Sequence, residues 1–424
     1  MKKKIGVQHL RLGMYVSELD RPWIESRFLF QGFEIRTDDE LAELRRLCKY
    51  VYIETEVEYR DGALRPRHPS TFGTPDPEEF AAKRIGFEIL DQFETPQAGT
   101  PRYPDQTALE AELPAARELV AATDGFVQNL LHDLRLGRSL DADAAKELVA
   151  AMVQSILRNP DAAIWFTRLK QKDEYESQHS LRTCVLALAF GRHLELPEET
   201  LNHLGLGVLL HDVGKTRVPA ELLRKTGPLT DGELELMKSH VPRGVEILEQ
   251  TPGIPPESME VARWHHERFD GSGYAEGLKG EEISLFGQIG AIVDTYDDIT
   301  SDSAYKKSMS PHDALRKLYE WRRKDFHEKL VEQFIQCIGI YPIGSVVQMN
   351  TGSIGVVIAA NRQRRLRPRV ALVLDPDQRP YPSPKTIDLY DEERRGDSTL
   401  SIRTVLPAGS FGIDPSDYLP LDKK

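Results

Sequence analysis

Between about Leu113 and Ile338 the apolar residues recur at intervals of three and four with few alternating runs, so this stretch reads as a succession of amphipathic helices. The flanks follow a different rhythm. Thr37–Tyr50 (TDDELAELRRLCKY) has the polar start and apolar stripe of a capped helix, and Val51–Tyr59 (VYIETEVEY) alternates like a half-buried strand. Farther on, the β-branched runs of Ile343–Gln363 around Thr351-Gly352 predict a hairpin, and Pro368–Asp377 predicts another strand. These shifts divide the chain into a small α+β domain over 1–60, a connector over 61–110, a helical domain over 111–345 with its core at about 160–345, and a β-rich appendage over 346–424. The connector carries Pro66, Pro69, Pro75, Pro77, Pro96, Pro101 and Pro104, as a linker or a surface-wrapping loop does. The tail beyond Tyr390 is polar, which predicts loose order. The expected fold class is mainly α, a helical bundle with a small β component towards each end.

Composition narrows the function. A chain of 424 residues suits two or three domains. With 67 acidic against 55 basic residues the net charge is −12, which argues against general nucleic-acid binding, since that needs a basic footprint. A small anion can still be held, because a local cationic site overrides an acidic surface. The basic run RRLRPR (Arg364–Arg369) reads as the solvated end of a hairpin. Cys48, Cys184 and Cys337 are widely spaced and odd in number, which fits a reducing compartment without disulfides. The opening residues lack a signal-peptide apolar run, and LALAFGRHLEL is interrupted by Arg192 and His193, so a cytoplasmic protein without a membrane span is expected.

The chemistry is concentrated between His179 and Asp294. His179, His211-Asp212, His240, His265-His266 and Asp294 follow one another at the distance of a helix, a turn and the next helix back. In a helical bundle that spacing returns one ligand per helix to the same level of the core. So many imidazoles and carboxylates in one place call for a cation. A lone histidine in a helix is more often a satisfied core or surface residue, and His132-Asp133, without companions, reads as helix surface. His211-Asp212 differs, because the apolar run LGLGVLL delivers it to a buried level and Gly214-Lys215 follows at once. Nitrogen and oxygen ligands without nearby thiolates suit Fe, Mn, Ni, Co or Zn. More ligands than one ion can use suggests two, roughly 3.5–4 Å apart, the arrangement that clamps both oxygens of a phosphoryl displacement.

The motifs YESQHS, LLHDVGK, ELLRKTGPLTDGELELMKSHVPRG, WHHERFDGSGY and IVDTYDDITSDSAYKK resemble, in order and spacing, those of the HD-GYP phosphodiesterases, over roughly residues 160–345. Residues 1–60 are similar to a small domain of unassigned function found ahead of some HD-GYP domains, and the closing β segment to a common appendage. The resemblance implies a helical-bundle HD domain that hydrolyses cyclic di-GMP with two divalent transition-metal ions, Fe or Mn first among them. It implies metal ligation by His179, His211, Asp212, His240, His265, His266 and Asp294. Asp212 would bridge the ions, a bridging water or hydroxide would be the nucleophile, and Lys215 would stabilise charge developing on the phosphate. Glu267 would orient a histidine from behind. Arg268, Asp270, Gly271, Gly273 and Tyr274 would form the substrate-side loop, with Lys306 holding the dinucleotide. A signalling context is compatible with a protein partner and with a homodimer.

Three positions depart from the family pattern. Gly273-Tyr274-Ala275 replaces Gly-Tyr-Pro, which is expected to free the loop at about 0.4–1 kcal/mol. Ser303 stands where the family has an arginine, removing a bidentate contact and leaving Lys306. Tyr175 stands where three-metal members carry a glutamate, which favours two ions and linear pGpG as the product. Two alternatives accompany this reading: a weakly active cyclic-dinucleotide sensor, and a hydrolase for another cyclic dinucleotide or nucleotide.

Overall fold

The computed structural model describes residues 2–20, 32–54, 102–167, 175–301, 308–361, 364, 366–394, 400–407 and 409–418. Most of the Pro-rich connector, Ser303, Lys306 and Glu174 lie outside these residues. The chain forms two compact units, Met1–His68 and Pro69–Lys424.

In the first unit, β1 (Lys2–Gly6), β2 (Tyr15–Leu19), β3 (Phe33–Glu34) and β4 (Tyr50–Glu54) make an antiparallel sheet ordered β1-β4-β2-β3. Helix α1 (Asp38–Leu47) starts in a capping box: Glu40 N–H donates to Thr37 Oγ1 and Thr37 N–H to the Glu40 carboxylate. Leu41 and Leu44 of the helix join Val16, Val51 and Ile53 of the strands in one core. The alternation of the β4 sequence is thus the alternation of its buried residues.

The second unit begins with helices α2 (Leu109–Arg135), α3 (Ala142–Arg158), α4 (Pro160–Thr167), α5 (Tyr175–His193) and α6 (Glu198–Leu210). After a short 3₁₀ turn (Val213–Arg217) come α7 (Ala220–Leu223), α8 (Asp231–Lys238), α9 (His240–Glu249), α10 (Pro256–Trp264), α11 (Leu285–Thr300), α12 (Pro311–Trp321) and α13 (Glu328–Ile338). Helix α5 is the central staff of the bundle. Cys184, Val185, Ala187, Leu188 and Phe190 are all fully enclosed, and Phe190 meets Phe334 edge-to-face at 5.3 Å. Burying each large side chain contributes about 1.5–3 kcal/mol against the chain's lost entropy. His132 and Asp133, in the last turn of α2, lie at the surface as expected.

The closing segment is more ordered than its polarity suggests. Strands β5 (Val346–Met349), β6 (Ile354–Ala359), β7 (Arg369–Leu374), β8 (Pro380–Asp388) and β9 (Ile402–Val405) form a sheet ordered β8-β7-β6-β5-β9. The predicted Thr351-Gly352 hairpin joins β5 and β6, while β9, in the tail expected to be loose, pairs antiparallel with β5 and buries Ile402. The basic run is also not simply a solvated loop end. Arg367 donates to Leu400 O and Arg369 to Glu110 Oε1.

Candidate metal centre

Each candidate ligand sits at an element end or on a buried helix face. The apolar run of α6 ends at Leu210 and carries His211 and Asp212 into the core, where they are 1% and 6% exposed. Gly214 makes the next step practicable. A Cβ there would lie 1.9 Å from His240 O and 2.5 Å from Gly244 N, so the turn after Asp212 packs backbone to backbone on α9. His240 opens α9, His265 caps the end of α10 with His266 following, His179 lies in α5 and Asp294 in α11.

The side chains converge as two sets with Asp212 between them. Asp212 Oδ2 lies 3.6 Å from His179 Nε2 and 3.4 Å from His211 Nε2, while Oδ1 lies 3.4 Å from His240 Nε2 and 3.9 Å from His265 Nε2. Asp294 Oδ1 approaches His179 Nε2 at 3.0 Å and His211 Nε2 at 3.7 Å. His266 Nε2 lies 3.2 Å from His240 Nε2. Each of four imidazoles is anchored through Nδ1: to Asp297 Oδ2 (His179, 2.8 Å), Val208 O (His211, 2.7 Å), Met237 O (His240, 2.7 Å) and Val261 O (His265, 2.9 Å). With Nδ1–H donating, Nε2 presents its lone pair to the centre. His240 and His265 therefore face each other lone pair to lone pair at 3.5 Å. His211 Nε2 and Asp212 Oδ1 are buried without a hydrogen-bond partner. Buried acceptors arranged this way are costly unless a cation sits among them, so the donor set fits divalent metal.

The electrostatics agree with that fit. Burial pushes the Asp212 carboxyl up, but Lys215 and the surrounding imidazoles outweigh it and hold it well below the usual carboxylate range. Burial, then neighbouring His211, presses His265 down to about 3; burial likewise lowers His240 and His266. These rings are neutral and ready to ligate at neutral pH. His179 is the exception. Burial opposes its charge, yet Asp294 and Asp297 reverse the effect and raise it to about 10, so a metal held there would take the place of a proton. Asp297 was not recognisable from motif spacing alone. It lies three residues past Asp294 and accepts from His179 and, at 2.7 and 2.9 Å, from Arg182.

Comparison with known proteins places the chain in a family. Residues 165–330 match the HD domain model, residues 2–145 a domain of unknown function (DUF3391), and residues 346–395 a KOW domain associated with HD domain. A cyclic di-GMP phosphodiesterase of Pseudomonas aeruginosa is 35% identical over 370 residues, covering 87% of this chain and 84% of its own length. The chain belongs to the HD-GYP family of cyclic-dinucleotide phosphodiesterases. A 3′3′-cGAMP-specific phosphodiesterase of Vibrio cholerae is 37% identical over 128 residues, 30% of this chain and 24% of its own. Among solved structures, the HD-GYP-like Bd1817 of Bdellovibrio bacteriovorus aligns with a TM-score of 0.45 at 14% identity, over 79% of this chain and 98% of its own.

In this HD-GYP protein the loop after His266 supports the centre more than it lines the cleft. A Cβ on Gly273 would meet Arg268 N at 2.4 Å and Glu267 Cα at 2.5 Å, so the loop folds directly onto the backbone behind the histidine pair. Tyr274 stacks on His266 at 4.5 Å. Asp270 accepts from Ser272 N–H, and Gly271 lies against the stem of Lys279. Glu267 holds this loop and not a histidine: its Oε1 accepts from the Glu276 and Gly277 amides at 2.7 and 2.9 Å. Ala275 corrects another expectation. Its φ is +118°, a value proline cannot adopt, so alanine here accompanies a different backbone and not a loosened version of the same one. Of the expected substrate-side residues, Arg268 faces a cleft of about 590 Å3 that also exposes His179, Lys215, His266 and Asp294. Trp321, the last residue of α12, and Asp325 and Phe326, from the turn to α13, also line it. Sequence reading passed over them because nothing ties their position to the His/Asp motifs.

Proposed function

We propose that this chain hydrolyses cyclic di-GMP to linear pGpG at a centre of two divalent metal ions, Fe or Mn, in the cytoplasm. The observation that carries the two-ion reading is the division of Asp212. One of its oxygens faces His179 and His211, with Asp294 beside them; the other faces His240 and His265, with His266 beside them. When bound, such ions supply Lewis acidity and lower the pKa of water towards neutrality. The chain's own residues do the rest. Asp297 and the three backbone carbonyls hold the Nδ1 protons of His179, His211, His240 and His265 outward, keeping those four Nε2 atoms aimed at the centre. Lys215, paired with Asp212 at the floor of the cleft, puts an ammonium where negative charge grows on the phosphoryl oxygens. Arg268, whose guanidinium is braced by the His265 and Glu267 carbonyls, adds positive potential to the cleft. A two-ion site with a preference for the linear dinucleotide also follows from Tyr175 at the position of the family's third-metal glutamate.

The test is anaerobic purification, metal analysis, and chromatography of the products from cyclic di-GMP. Two ions per chain and accumulation of pGpG are expected. A single ion, or no turnover with Fe or Mn loaded, sinks the reading.

A further inference from the structure

The turn that closes the cleft is rigidly placed. Lys324 N–H and Asp325 N–H both donate to Trp321 O, and Arg323 N–H donates to Phe326 O. Two more backbone bonds, Phe269 N–H to Asp325 O at 3.0 Å and Asp270 N–H to Lys324 O at 2.8 Å, tie this turn to the loop that follows His266. The wall of the cleft is thereby fixed relative to the metal-facing histidines.

Trp321 stands out on that wall. Trp165 and Trp264 use their indole N–H groups on Ile358 O and Glu276 Oε2. Trp321 is half-buried and lines the cleft, and its indole makes no hydrogen bond, ring contact or cation contact among the described residues. Its neighbour Phe326 is 4% exposed and already lies under the Arg268 guanidinium, so it offers no open face. An unengaged indole in a cleft that holds phosphate-directed cations suits an aromatic ligand, because every nucleobase has a face that stacks. The polar groups beside it narrow the choice of base. Asp325 and Asp298 line the same cleft with carboxylate oxygens, which accept and do not donate. Guanine presents two adjacent donors, N1–H and the exocyclic amine, whereas adenine presents an acceptor at N1.

We propose that Trp321 stacks one guanine of the substrate and that the Asp325 carboxylate accepts from that base's donor edge. The subsite rests on the cyclic di-GMP reading above. It also supplies base recognition by a route independent of the arginine that Ser303 replaces.

The experiment uses the metal-loaded full chain with W321A, W321F and D325N variants. Substrates are cyclic di-GMP, cyclic di-AMP and bis(p-nitrophenyl) phosphate, a phosphodiester without nucleobases. In Trp321→Ala the ratio of kcat/KM on cyclic di-GMP to that on the base-free diester falls roughly 5–150-fold, chiefly through KM, the range that loss of one base stack produces. Trp321→Phe restores most of it. Asp325→Asn narrows the preference for cyclic di-GMP over cyclic di-AMP. An unchanged ratio in Trp321→Ala, including parallel loss on both substrates, overturns the platform. An unchanged preference in Asp325→Asn overturns the edge contact. Wild-type protein that cleaves the base-free diester but neither binds nor cleaves cyclic di-GMP overturns the substrate reading itself, and the subsite with it.

Discussion

Asp297 does for His179 what backbone carbonyls do for His211, His240 and His265: it holds the Nδ1 proton and aims Nε2 at the centre. A carboxylate in that place also raises the basicity of the ring, and Arg182 fixes the carboxylate. Asp297→Asn is expected to weaken metal binding or activity about 10–100-fold, the usual consequence of losing such a partner. Titration of metal-stripped protein with Mn measures it, and an affinity equal to wild type would mean the contact is incidental. Asp212→Ala has a sharper signature, since its two oxygens serve two histidine sets. Metal analysis should show both ions lost together; a variant retaining two ions would refute the bridge. Ala275 offers a stability test. Holding a non-glycine residue at φ +118° costs of the order of 1–3 kcal/mol. Ala275→Gly should therefore raise the melting temperature and Ala275→Pro, despite matching the family's letter, should lower it. Calorimetry of the three proteins decides, and a stabilising proline would contradict the loop conformation.

Element ends matter as much as the residues they carry. His240 begins α9 directly after α8, and α8 is started by a capping box in which Glu233 accepts from Thr230 and pairs with Lys225. Lys225 first, then the Thr230 amide and hydroxyl, hold the Glu233 carboxyl down at about 2 from an ordinary 4.5. For a carboxyl lowered on folding, the stabilising contribution is complete above 4.5 and vanishes as pH falls through about 2. The gap in melting temperature between wild type and Glu233→Gln should thus close as pH is lowered from 4.5 towards 2; a gap that does not narrow with acid would show the charge to be irrelevant. The capping box is legible in the letters TDGE, as are the ligand-bearing helices, because local hydrogen bonding and helix-length spacing leave a mark on sequence. Other features leave none. The pairing of Asp297 with His179 joins helices more than a hundred residues apart, and the service of Glu267 to the Glu276 and Gly277 amides depends on how one loop folds. The order of β9 was hidden for a related reason. Its four residues alternate too briefly to register, and it is pairing with β5 that makes them a strand.

At the scale of the molecule, the second unit joins two kinds of architecture, and the join is specific. Strand β6 slips register against β7 between Val357 and Ala359, which places Ile358 at the irregularity. Its carbonyl accepts instead from the indole N–H of Trp165 on α4, at 2.6 Å, and two residues on Ala360 N–H donates to Asp161 Oδ2 at 3.1 Å. Trp165 is fully enclosed, so its bond is made where water cannot substitute. The C-terminal sheet is therefore part of the structure that presents α5 and His179, since α4 packs on the helices that flank them. Trp165→Phe keeps most of the apolar volume but strands the Ile358 carbonyl, at about 1–3 kcal/mol for an unsatisfied buried acceptor. For a unit of about 350 residues each kcal/mol lowers the melting temperature by roughly 1–2 °C. Because the bond couples helices to sheet, far-ultraviolet signals from both should melt together in wild type and at a lower common temperature in Trp165→Phe. If the substitution leaves the transition where it was, the indole bond contributes nothing and the sheet is held by apolar contact alone.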